Sequence, residues 1–168
     1  MTGRGGARAE GEVAEKQWPI VPYRGGIFSP FKASRTRADG SPRFHAGVDI
    51  AAQSGDEVVA IDDGEVVSMV SGYSLGTGLE AVAIRHPGVD LIYAEIDVGV
   101  KPGDLVKAGD VIGVVRKNSD GRTMLHLEAW ETGTVPTAFT EWAPSYEPPG
   151  LLDASDVVED LPRPTEIA

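Results

Sequence analysis

A short pattern occurs twice in this chain, and its second occurrence limits what the first can be. Gly55-Asp56-Glu57-Val58-Val59-Ala60-Ile61-Asp62 aligns with Gly103-Asp104-Leu105-Val106-Lys107-Ala108-Gly109-Asp110, 48 residues later. Gly, Asp, Val, Ala and Asp match in register, and Val66-Val67 falls on Val114-Val115 at the same offset. Each copy reads as a turn, a short strand, a second turn and another strand. Gly and Asp are turn residues, and the β-branched residues after them favour the extended chain. Agreement at seven of thirteen aligned positions points to duplication of a two-strand unit.

The rest of the middle of the chain keeps the same rhythm. Short β-branched runs cover Glu57–Ile61, Glu65–Val70, Leu79–Arg85, Val89–Ala94, Asp110–Val115 and Met124–Trp130, split by Gly and Asp turns. No stretch sustains a helical period. The expected fold class is all-β, with a duplicated motif.

A length of 168 residues suits one domain with a sizeable core. Fifteen Lys and Arg against 26 Asp and Glu give a net charge of −11, which disfavours nucleic acid and anionic membrane as partners. There is no cysteine, so disulfides and thiolate metal sites are excluded. Residues 1–17 lack an apolar h-region, so no standard secretory signal is expected, and no apolar run is long enough for a membrane span. A target outside the cell would then need lysis or a larger particle for delivery.

Residues 1–17 read as a flexible N-terminal tail, and 18–142 as the folded domain, opening at Trp18. Residues 143–168 read as a Pro-rich acidic C-terminal tail: 147–168 carries six acids against Arg163 alone. Within it, 151–161 is a short Leu/Val-containing segment suited to docking.

Two of the three histidines fall in motifs that make chemistry. Phe44-His45-Ala46-Gly47-Val48-Asp49-Ile50 places a histidine and an aspartate four apart. On an extended strand those positions lie roughly 13 Å from each other. The segment must bend for both to reach one ion, and Gly47 permits the bend. In Met124–Trp130, Leu125, Leu127 and Ala129 share an apolar face, so His126 points the other way, into a cleft, beside Met124. Two imidazoles and a carboxylate suit zinc, with a fourth position left for water. His45-x-x-x-Asp49 is weak by itself, and a lone strand histidine is more often structural. His86, before Pro87-Gly88, reads as a turn residue. The metal assignment rests on His45, Asp49 and His126 in combination with the fold.

These residues resemble the lysostaphin/LytM-type zinc metallopeptidases, which cleave peptide cross-bridges in bacterial cell walls. The resemblance spans about Ile27 to Trp130. It rests on Ile27–Phe31, Phe44–Ala51, the two Gly-Asp units and Leu125-His126-Leu127-Glu128. It implies an antiparallel, barrel-like fold with a duplicated hybrid motif, and zinc held by His45, Asp49 and His126. The family also has two histidines beside the metal that are not ligands. Here those positions hold Glu95, after Tyr93-Ala94, and Met124.

A carboxylate at Glu95 can act as general base, and Tyr93-Ala94-Glu95 places Tyr93 and Glu95 on one strand face. Met124 cannot donate a hydrogen bond to a developing oxyanion, a loss of about 3–4 kcal/mol. Two readings follow. The chain is a non-catalytic module that binds wall peptide, in a phage particle or a cell-wall assembly, or it is an active peptidoglycan endopeptidase with Glu95 as base. A biotinyl-lipoyl-type carrier would fit the Val100–Val115 stretch, but there is no hairpin lysine for it and the His/Asp/His set would be unexplained.

Overall fold

The computed structural model describes residues 14–37, 39–73 and 78–164. Expectations for 1–13 and 165–168, most of the N-terminal tail and the last four residues, lie outside the described residues. The strands in chain order are β1 (Ile20–Val21), β2 (Ile27–Ser29), β3 (Ser34–Thr36), β4 (Pro42–Phe44), β5 (Val48–Ala51) and β6 (Glu57–Val59). They continue as β7 (Gly64–Met69), β8 (Glu80–His86), β9 (Val89–Val98), β10 (Leu105–Val106), β11 (Val111–Val115), β12 (Met124–Trp130) and β13 (Leu151–Leu152). The one helix among the described residues is α1 (Ser155–Val158). The all-β expectation holds, and no described helix is long and apolar enough to cross a membrane.

Eleven strands form one antiparallel sheet whose main path is β1-β6-β11-β9-β12-β5-β2. The hairpin β3–β4 stands apart as a second sheet. The repeat appears as reciprocal pairing. The first strand of copy one, β6, pairs with the second of copy two, β11, while β10 pairs with β7. The turns match too. Gly55 and Gly103 both have φ of +96°, a conformation that costs a residue with a Cβ. Asp56 accepts from the Gln53 N–H at 2.8 Å, and Asp104 from the Lys101 N–H at 3.0 Å. Each aspartate thus closes its turn on a backbone donor three residues back.

The main core gathers one face of the central strands, with Leu91, Tyr93, Leu125, Leu127 and Ile50 fully covered. A smaller cluster on the opposite face, around Tyr73, Ile92, Ala94 and Trp130, backs the cleft. His86 is not a turn residue. It ends β8, is buried, and its ring nitrogens lie 2.9 Å from the Asp63 carbonyl and 2.9 Å from the Tyr93 hydroxyl. Burial pushes its pKa down.

The expectation of a free acidic end is corrected for residues 143–164. There β13 pairs with β12, and Ala154, Val158 and Leu161 enter the main core. Their spacing of four and three puts them on one face of a helical turn, and Asp156, Glu159 and Asp160 are exposed. The Arg163 guanidinium lies 4.4 Å from the centroid of the Trp18 ring, joining the two ends of the described chain. Leu161→Ala is expected to destabilise the domain by about 2 kcal/mol, the low end for a buried leucine. Urea unfolding reads this directly, and an unchanged midpoint would mean that the segment hangs free.

Candidate metal centre

Three strands bring the centre together. On β12, His126 lies opposite Asp49 of β5 on one side and Ala94 of β9 on the other. Directly opposed residues in an antiparallel pair share a face, so the Asp49 and His126 side chains meet. His45 comes from the bend just before β5. Its backbone N–H and carbonyl bond to Ala33 and Lys32 in the approach to the β3–β4 hairpin. Gly47 is needed here for room rather than for an unusual φ. A Cβ at that position would lie 2.3 Å from the Leu127 carbonyl oxygen and 2.9 Å from Glu128 Cγ.

The three expected ligands do converge. His45 Nε2 lies 3.2 Å from His126 Nδ1 and 3.2 Å from Asp49 Oδ1, and His126 Nδ1 lies 3.0 Å from Asp49 Oδ1. All three residues are buried. Ligands about 2.0–2.1 Å from a tetrahedral cation are separated by roughly 3.3 Å, so the triangle fits such an ion.

The outer ring nitrogens support the same assignment. His45 Nδ1 donates to the Pro30 carbonyl at 2.9 Å, which leaves Nε2 to face the centre. His126 Nε2 donates to Glu128 at 2.8 Å, which leaves Nδ1 to face it. Glu128 is held in turn by Tyr73 Oη at 2.8 Å and Trp130 Nε1 at 3.0 Å. A buried carboxylate behind a ligand histidine fixes its tautomer and raises its basicity.

Burial disfavours charge on His126, but hydrogen bonds and charge from Asp49 and Glu128 outweigh it and raise its pKa to about 10. Burial likewise opposes charge on Asp49, yet the two histidines hold its carboxyl well below the usual carboxylate range. A cation held at His126 Nδ1 would compete with a proton there.

Glu95 reaches this cleft by a route that strand alternation does not supply. Ala94 faces the cleft and Tyr93 the main core, so alternation would bury Glu95 with Tyr93. The shared face expected for Tyr93 and Glu95 does not occur. A bulge interrupts the β8–β9 pairing between Ala94 and Ile96, and Glu95 has φ of +65°. The bulge swings its carboxylate to 3.8 Å from His126 Nδ1. Burial is the main effect pushing the Glu95 carboxyl up, and the His126 charge, then a hydrogen bond with Asn118, work the other way. A left-handed glutamate is a strained backbone, and such strain concentrates at functional sites.

Met124 lines the same cleft, a cavity of about 350 Å³. So do Tyr73, Asn118 and three arginines, Arg35, Arg43 and Arg122, none of which the sequence singled out. A buried carboxylate two residues from a strand histidine was the available signal for Glu128. The arginines carried none until the hairpin was seen to fold over the site.

Known proteins share this architecture. Residues 43–137 match the model of peptidase family M23. The chain is 40% identical over 115 residues to the DD-carboxypeptidase/endopeptidase Mpg of Neisseria meningitidis serogroup B, covering 66% of this chain and 25% of that protein. It therefore spans about a quarter of that relative's length. A zinc-containing peptidase from Vibrio cholerae superposes with a TM-score of 0.56 at 27% identity, over 70% of this chain and 37% of that one. The catalytic domain of the prophage-encoded M23 protein EnpA from Enterococcus faecalis does so with a TM-score of 0.54 at 27% identity, over 80% and 96%. With the family match spanning the metal centre and the strands that build it, this chain belongs to peptidase family M23, the lysostaphin/LytM-type peptidases.

Proposed function

We propose that the domain holds zinc at His45, Asp49 and His126 and binds bacterial cell-wall peptide over it, as a recognition or regulatory module rather than a fast hydrolase. The observation that carries this reading is the contrast within one cleft. The ligand triad is assembled and tied from behind, while the positions beside it hold Glu95 and the thioether of Met124. Bound zinc supplies Lewis-acid polarisation of a peptide carbonyl and acidifies water. The chain's own residues supply orientation: Glu128 and Pro30 fix the two imidazoles, and Tyr73 with Trp130 fix Glu128. A peptidase activity in the name of the Neisseria relative supports a peptide ligand. The prophage origin of the Enterococcus relative favours a larger assembly, such as a phage particle, as the route to the wall.

A second reading has its own observation. Glu95 is bent into the cleft at a backbone cost, 3.8 Å from a ligand nitrogen, where its carboxylate can take a proton from attacking water. One experiment separates the two readings. Zinc content, binding to purified sacculi and release of soluble fragments are measured on one sample. Stoichiometric zinc and sacculus binding without release is the expected result. Release that falls at least about a hundredfold in Glu95→Gln would establish the hydrolase instead. A zinc-loaded protein that ignores sacculi would overturn both.

A further inference from the structure

The β3–β4 hairpin places two arginines side by side. Arg35 and Arg43 are direct cross-strand partners, and both line the metal cleft. Like charges opposed in this way destabilise a two-stranded ribbon, and a small separate sheet has little stability to spare. Glu141, which feels the Arg43 charge, is committed elsewhere. Glu141 takes a bidentate pair from Arg37 at 2.7 and 2.6 Å, and feels the Arg43 charge only as a weaker influence. Arg43 makes no hydrogen bond or close ion pair among the described residues. Arg35 bonds to the Ser29 hydroxyl, and its guanidinium lies 3.8 Å from Asp49 Oδ2, beside the triad.

The hairpin is also braced. Phe44 bonds through its backbone N–H to the Trp142 carbonyl at 2.8 Å and packs on that indole ring, as does Phe31. Together with the Arg37–Glu141 pair, this holds the two guanidinium groups over the cleft before any ligand arrives.

Charge balance gives the sign of the ligand. The cleft is lined by three arginines and by Asp49, Glu95 and Asp120. A divalent cation on the triad adds positive charge to that lining, on a chain whose overall charge is −11.

We infer that Arg35 and Arg43 form a carboxylate clamp that reads the free α-carboxylate of a peptide whose last bond lies over the metal centre. This rests on the peptide-binding reading above and names its ligand. A guanidinium pair suits the flat, two-oxygen geometry of a carboxylate. One residue spans about 3.8 Å of chain, so a terminal carboxylate beside Arg35 sets the preceding peptide carbonyl next to the triad. A chain continuing past the cleft would carry a neutral amide at that point.

The test is equilibrium binding to the zinc-loaded full chain, measured by calorimetry, which does not depend on turnover. Three probes suffice: diacetyl-Lys-D-Ala-D-Ala as the free acid, the same peptide as its C-terminal amide, and the amide with D-Glu as last residue. The free acid is expected to bind at least about tenfold tighter than either amide, the yield of a charge-assisted hydrogen bond. In Arg43→Gln the preference should collapse while zinc content stays stoichiometric. Arg43→Lys, which keeps charge but loses the fork, should retain only part of it. Equal binding of acid and plain amide by the unmodified chain would overturn the clamp without touching the peptide-binding reading. Equal binding of the acid and the D-Glu amide would overturn the terminal register. Failure of all three probes to bind would sink both readings, and the comparison on the unmodified chain stands even if a variant misfolds.

Discussion

Alanine at His126 is expected to remove stoichiometric zinc from the protein and to weaken its affinity by well over a hundredfold. The triangle of His45 Nε2, Asp49 Oδ1 and His126 Nδ1 has edges of 3.0–3.2 Å, and deleting one corner leaves two donors. Loss of an outer partner typically costs about 10–100-fold, so Glu128→Gln should fall in that lesser range. The order of the two variants is itself diagnostic, because a buried structural histidine would give no such gradient. Acid should act in the same direction as mutation. A pKa of about 10 for His126 in the metal-free chain means that zinc competes with a bound proton at every pH below that value. Affinity should therefore fall by about tenfold per pH unit as pH is lowered. Calorimetry in buffers of different ionisation enthalpy should report about one proton released per zinc. Zinc content unchanged in His126→Ala would remove the metal centre from this account.

The parts of this architecture that are periodic could be read from the chain. The duplicated Gly-Asp unit announced paired strands because a Gly at positive φ and an Asp capping a backbone donor are local requirements. The face of β12 that carries His126 followed from strict alternation with Leu125, Leu127 and Ala129. What alternation could not supply were its own interruptions. The bulge at Glu95 reverses one side chain, and nothing in Tyr93-Ala94-Glu95 marks a left-handed residue. Gly47 looked like a hinge. Its reason is the Leu127 carbonyl passing 2.3 Å from where a Cβ would stand, a contact across some eighty residues of sequence. The C-terminal segment misled by composition. Its acids far outnumber its single base along the sequence, but Ala154, Val158 and Leu161 share a face and the core takes only that face. Arg35 and Arg43 became a pair through hairpin register, which a stretch rich in Ser and Arg does not reveal.

Installing histidine at both Glu95 and Met124 is expected to produce cell-wall hydrolysis at least about a hundredfold above the unmodified domain. A single donor to a developing oxyanion is worth on the order of a hundredfold to a thousandfold in rate, and Met124 offers none. The two positions can accept the change. Met124 shares the cleft face of β12 with His126, and its side chain lines the cavity, so an imidazole there faces the same space. Glu95 sits at φ of +65°, a region in which histidine is enriched several-fold over other residues with a Cβ. Removing its carboxylate also takes a negative charge from beside Asp49. Release of soluble fragments from purified sacculi by the zinc-loaded double variant is the measurement, with His45→Ala in the same background as the control that must stay silent. A double variant that folds, holds zinc and binds sacculi yet releases nothing would mean that other groove residues also withhold turnover, and would leave the recognition reading in place. The opposite result counts against it. If the unmodified domain already hydrolyses sacculi and the double variant is slower, Glu95 is the base of a working peptidase.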